Sequence, residues 1–238
     1  MVASRPPDPE RQLSPPVSNH ESLVALRARV SDAVVESLER SADLGFLGRM
    51  PLVEQIDHAL GFVAAVETAL GRLPTSVADL GTGGGVPGLV LYSCWPECRV
   101  VLLDGNQRRI EFLTTEVNTW GASARVEVVR GRAEELARDD RFRRQFEVVT
   151  ARSFGPPPVT VECGAPLLGV QGVMVVSEPP DDGDECRWPD DGLALVGLVR
   201  SSRVRFDDRF GYQVLVKSGE TPERYPRRGG IPSKRPLY

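Results

Sequence analysis

Ten consecutive residues, Asp79-Leu80-Gly81-Thr82-Gly83-Gly84-Gly85-Val86-Pro87-Gly88, gather an acid, five glycines and a proline. Glycine lets a backbone pass close to a ligand, and a loop between a strand and a helix aims main-chain amides at it. The apolar run Val77 to Leu80 supplies the strand, so the segment predicts a ligand loop with Gly81, Gly83 and Val86 along it. A dinucleotide is one reading, since the loop begins like Gly-x-Gly-x-x-Gly. Val86 stands at the sixth position, however, and Gly85 and Gly88 fall out of register. Pro87 suits the first turn of a helix better than a pyrophosphate loop.

Three further residues bear on the ligand. Asp104 ends the next apolar run, 23 positions after Gly81, where a carboxylate can accept both hydroxyls of a ribose; a helix N-cap is its other reading. Ala133 and Glu134 open the connection after the third run, a place where adenine is commonly read; Glu134 reads equally as a first-turn helix acid. Arg152 follows the fourth run and points toward the carboxyl edge of the sheet, at a cofactor carboxylate or a substrate phosphate, with a surface ion pair as the alternative. His58 falls on a helix and reads as a structural histidine. Cys94 and Cys98 have no second pair or histidine at ligand spacing, so no metal is expected.

The elements that must position these residues follow from periodicity. Leu23, Leu26, Val30, Val34 and Leu38 repeat at helical spacing, and so do Val53, Ile56, Leu60, Val63, Val66 and Leu70. Short apolar runs at 77–80, 100–103, 126–129, 148–150 and 173–176 read as buried parallel strands with helices between them, including one over 161–168. This alternation predicts a doubly wound α/β sheet. Two extended stretches, 193–206 and 212–217, joined by a turn at Asp207-Asp208-Arg209-Phe210-Gly211, predict a terminal hairpin. The segment from Thr221, rich in Pro, Gly and Arg, reads as a surface tail without regular structure. The chain thus divides into a disordered leader (1–20), an N-terminal helical cap (21–72), a ligand-binding domain (73–220) and a basic C-terminal tail (221–238).

Composition narrows the class. The 238 residues allow one principal domain; they are 41% hydrophobic and 26% charged, and no apolar run approaches the ~20 residues needed to cross a bilayer. No secretory signal is visible, and four scattered cysteines fit a reducing compartment, so a cytoplasmic, monomeric protein is expected. A net charge of -4 argues against general nucleic-acid binding, although the tail is locally basic. The stretch from Glu178 to Asp191 carries seven acids and one arginine.

In its ordered motifs the chain resembles the RsmG (GidB) family of 16S rRNA guanine-N7 methyltransferases. The resemblance rests on Asp79 to Gly88, on Leu102-Leu103-Asp104 with Arg109 and Phe112-Leu113, and on Arg130-Gly131-Arg132-Ala133-Glu134. Thr150-Ala151-Arg152-Ser153, Ala165-Pro166-Leu167-Leu168 and Tyr225 to Lys234 extend it. It implies a class I, Rossmann-like fold with a seven-stranded, mostly parallel sheet. It also implies S-adenosylmethionine as cofactor, with Gly81 and Val86 at its methionine and adenosine moieties, Asp104 at the ribose, Ala133 and Glu134 flanking the adenine, and Arg152 at the active crevice. The implied partner is 16S rRNA or the 30S subunit, with Arg152, Arg227, Arg228 and Lys234 as candidate RNA contacts. No catalytic side chain is implied, since guanine N7 already carries a lone pair. The chain departs from the family pattern at Asp57, at Ser177 to Pro180 and at Gly45 to Gly48. Those departures, with the acidic run, leave two alternatives: a diverged paralogue of the same fold with another nucleic acid or a small molecule as acceptor, and a catalytically silent RNA- or ribosome-binding protein.

Overall fold

The five apolar runs become five parallel strands, and the terminal hairpin completes a seven-stranded sheet of order β3-β2-β1-β4-β5-β7-β6. The computed structural model describes residues 22–179 and 187–238; the predicted leader and part of the acidic run lie outside the described residues. In chain order the elements are α1 (Leu23–Arg27), α2 (Asp32–Asp43), α3 (Leu52–Leu70), β1 (Ser76–Leu80), α4 (Gly88–Cys94), β2 (Arg99–Asp104) and α5 (Gln107–Thr119). They continue with β3 (Val126–Arg130), α6 (Ala133–Leu136), β4 (Phe146–Ala151), α7 (Pro157–Gly164), β5 (Leu168–Glu178), α8 (Asp190–Ala194), β6 (Leu198–Phe206), β7 (Phe210–Lys217) and α9 (Ile231–Lys234).

Side chains alternate across the sheet and feed two cores. Val77, Val100, Leu102, Val148, Val175 and Val214 face α2, α3, α4 and α5. Ala78, Leu80, Val101, Leu103, Val149, Met174 and Leu215 face the other way, toward α6, α7 and α8. Strands covered on both faces read as continuous apolar runs, as these do. Residues Gln55 to Val66 of α3 are all buried, so this helix is a full layer against β5, β7 and α4 rather than an appendage. The parallel order turns between β1 and β4, which places the crevice of a doubly wound sheet at the carboxyl ends of those two strands.

Several boundaries differ from the sequence reading. The helix expected over 161–168 runs from Pro157 to Gly164: prolines are tolerated in a first turn, and Pro166, which lacks an N–H, falls in the tight turn Ala165–Leu167 that follows. The extended stretch expected from Leu193 begins at Leu198, because Asp190 and Asp191 favour the first turn of α8. The hairpin turn is tighter than expected, with Asp207 and Asp208 at positive φ (51° and 50°) and β7 starting at Phe210. The tail, expected to lie on the surface without regular structure, has Thr221 and Tyr225 buried and contains the short helix α9.

Candidate functional site

The glycine loop is tied closed at its base. Asp79, fully buried at the end of β1, accepts hydrogen bonds from the Gly88 amide (2.9 Å) and the Thr150 hydroxyl (2.9 Å). Burial nonetheless pushes the Asp79 carboxyl up to about 6. A Cβ on Gly88 would stand 2.3 Å from Leu102 and 2.8 Å from the Asp79 carboxylate, so only glycine can close this junction. Pro87 sits one position earlier than expected, as the N-cap of α4 rather than in its first turn.

Gly81 leaves β1 at φ 71°, and a Cβ there would lie 2.6 Å from the Phe154 ring. Gly83 faces open space, with nothing nearer to an added Cβ than the Gly81 carbonyl at 3.9 Å. The Gly83 amide donates to Asp104 Oδ2 (2.9 Å), so two of the residues expected at the ligand are in contact. Asp104 Oδ1 accepts from the Asn106 amide (2.7 Å), while Asn106 itself caps α5. Each carboxylate oxygen retains acceptor capacity for a hydroxyl. Val86 is buried behind the loop in the apolar core. Ala133 and Glu134 open α6 one strand away, where the Gly131 amide donates to the Asp104 carbonyl (3.1 Å).

The N-terminal helices brace this loop from outside, a contribution the sequence did not disclose. The Ser41 hydroxyl donates to the Gly84 carbonyl (2.8 Å), and a Cβ on Gly84 would strike Ser41 and Leu47.

Phe154 also lines a cleft of about 390 Å³. His58 of α3, Arg152 and Phe154 after β4, Glu178 at the end of β5, Trp188, and Arg209 and Phe210 of the hairpin line it. Ser153, at φ 52°, turns the chain so that Arg152 and Phe154 both reach this space. Arg152 donates to Gln55 Oε1 (2.9 Å). The His58 ring lies against Phe62, Phe210 and Tyr212 with Nδ1 unpartnered. Burial, reinforced by the Arg152 charge, lowers it to about 3, so the ring is neutral at physiological pH.

Glu178 accepts from Trp188 Nε1 (2.8 Å) and Arg187 Nη1 (2.6 Å), and Asp190 pairs with Arg200 (2.8 Å). Of these acids Glu178 is paired within the run, with Arg187, and Asp190 with Arg200 of β6. Asp57, where the sequence departs from the family pattern, is buried and holds two arginines, Arg27 (2.6 Å) and Arg209 (3.0 Å). Among the proposed RNA contacts, Arg228 and Lys234 are exposed, whereas Arg227 is bound to the buried Glu162 (2.7 Å). Among the described residues no group of three or more His, Cys, Asp or Glu is placed to hold a metal, and no helix is long and apolar enough to cross a membrane. Cys94 and Cys98 are buried, and burial pushes the Cys98 thiol up to about 12.

A doubly wound sheet closed by an antiparallel β7, with a glycine loop after β1 and an acid ending β2, defines a class I S-adenosylmethionine-dependent methyltransferase. The fold is shared with an O-methyltransferase from Bacillus cereus in complex with SAH (14% identity, 79% of this chain and 91% of that one, TM-score 0.55). It is shared as well with a putative O-methyltransferase from Klebsiella pneumoniae (11%, 79% and 91%, 0.55). The sequence model of the family described as rRNA small subunit methyltransferase G matches residues 55–206, and the chain belongs to that family. It is 34% identical over 197 residues to ribosomal RNA small subunit methyltransferase G of Rubrobacter xylanophilus (79% of this chain, 75% of the relative). With the protein of that name from Leuconostoc citreum it shares 32% over 179 residues (74% of each).

Proposed function

We propose that this chain transfers the methyl group of S-adenosylmethionine to N7 of a guanine in 16S rRNA, acting as a cytoplasmic monomer on the small ribosomal subunit. The observation that carries the reading is Phe154, which packs against Gly81 and also lines the acceptor cleft. The loop that would hold the methyl donor and the cleft that would hold the base thus adjoin at one residue, as direct transfer between them requires. The cofactor supplies an electrophilic methyl on a sulfonium. Guanine N7 supplies the electron pair, the carbon–sulfur bond breaks toward sulfur, and no proton leaves the base. The protein's task is therefore alignment.

Each region has a part in that alignment. Asp104 receives the ribose hydroxyls while its bond to Gly83 keeps the loop in register. Phe154, Phe210 and Trp188 give the cleft aromatic walls for a purine, and Arg152 brings a cation into it. Arg228 and Lys234 face solvent and meet phosphates, while Arg227 holds the tail. The alternative of another acceptor draws on the acidic run, of which the described Glu178 and Asp190 are paired with Arg187 and Arg200. Purified protein with labelled S-adenosylmethionine, offered unmethylated 30S subunits, naked 16S rRNA and a small-molecule extract, tests the proposal. Label is expected in the RNA; label entering only the extract would overturn it.

A further inference from the structure

The C-terminal tail is fastened to the domain by buried charge. Glu162 on α7 has no exposed surface, and it accepts from the Arg227 amide (2.7 Å), Nε (2.8 Å) and Nη2 (2.7 Å). Arg143, 4% exposed, donates to the carbonyls of Thr221 and Tyr225, both at 3.0 Å. Arg138 adds a bond to the Pro226 carbonyl (2.8 Å). Stripping the partner from a buried carboxylate is strongly unfavourable, so this segment has one favoured seat over α6 and α7.

That seat ends on the cofactor side of the molecule. The Gly230 amide donates to Glu134 Oε1 (2.8 Å), which Arg132 also approaches (3.2 Å). Burial alone would raise the Glu134 carboxyl, but the Gly230 amide and Arg132 hold it below the usual glutamate range. Its carboxylate is thus committed to the tail, and what it offers an adenine is the main chain of Ala133 and Glu134. Those residues follow β3, whose Arg130 pairs in register with Asp104.

We propose that the tail is a positioning element of the cofactor site: the Glu162–Arg227 anchor seats Gly230, Gly230 fixes Glu134, and Glu134 sets the α6 main chain against the adenine ring. This rests on the cofactor placement in the proposed function. The tail thereby couples an RNA-facing surface, Arg228 and Lys234, to cofactor affinity.

Calorimetry with S-adenosylhomocysteine tests the chain of contacts. Arg227→Met and Glu134→Ala are each expected to weaken binding about tenfold, and the double variant no more than the worse single, since both break one linkage. By reciprocity, saturating S-adenosylhomocysteine slows amide hydrogen exchange over Arg227 to Lys234 in the wild type. A cooperatively melting Arg227→Met with wild-type affinity, or losses that add in the double variant, would overturn the proposal. Should Arg227→Met fail to fold, unchanged tail exchange on ligand binding overturns it equally. Failure of the wild type to bind would instead sink the cofactor placement.

Discussion

The cofactor loop and the acceptor cleft meet at Phe154 and are built in opposite ways. The loop is main chain: a glycine turn, amides, and two carboxylates that hold it, all within 26 residues from Asp79 to Asp104. The cleft is side chain, assembled from α3, the ends of β4 and β5, and the hairpin turn. A backbone site tolerates little change in residue type but carries a local signature. A side-chain site depends on residues scattered through the chain, and Arg209, one of them, is held by the buried Asp57.

The largest expected effect lies in the loop. Gly81→Val would drive a branched side chain into Phe154 from a left-handed backbone, and calorimetry should find S-adenosylhomocysteine binding weakened roughly a hundredfold or more. Binding within threefold of wild type would break the contrast between the two regions. Arg152→Met should act on the other side: kcat/KM for rRNA falls about thirtyfold, while S-adenosylhomocysteine affinity stays within threefold. An equal loss in both would assign Arg152 to the cofactor instead.

The neutral His58 gives the cleft a pH signature. Its folded value of about 3 lies below the ordinary 6.5, so between these values the unfolded chain binds more protons and stability rises with pH. The contribution is complete above 6.5 and is lost as pH falls below it, at up to ~1.4 kcal/mol per pH unit. Denaturant unfolding of wild type and His58→Phe from pH 7 to pH 4.5 checks this: the variant should lack that part of the slope. Parallel curves would place the ring in a wetter setting. Smallest is Ser41→Ala, which removes the hydroxyl bracing Gly84 and should cost about 1 kcal/mol by the same method.

The contrast also explains what could be read from the chain. The strands announced themselves because both faces of the sheet are covered, and the loop because glycine spacing is local. Phe154, Trp188 and Arg209 are not legible as a site because nothing in their own neighbourhoods links them; only the sheet order brings them together. The docked tail does leave a signal in the sequence. Glu162 stands inside the apolar run Val159 to Leu168, and an acid there requires a cation from elsewhere. That cation is Arg227, whose guanidinium is held by the buried acid.

The central claim is that the cleft presents guanine N7 to the methyl held by the adjoining glycine loop. The direct measurement is digestion of 16S rRNA, labelled by the wild-type protein from methyl-labelled S-adenosylmethionine, into nucleosides followed by chromatography. The account predicts label running with 7-methylguanosine and absent from RNA treated with Gly81→Val. Label running with any other methylated nucleoside would contradict it.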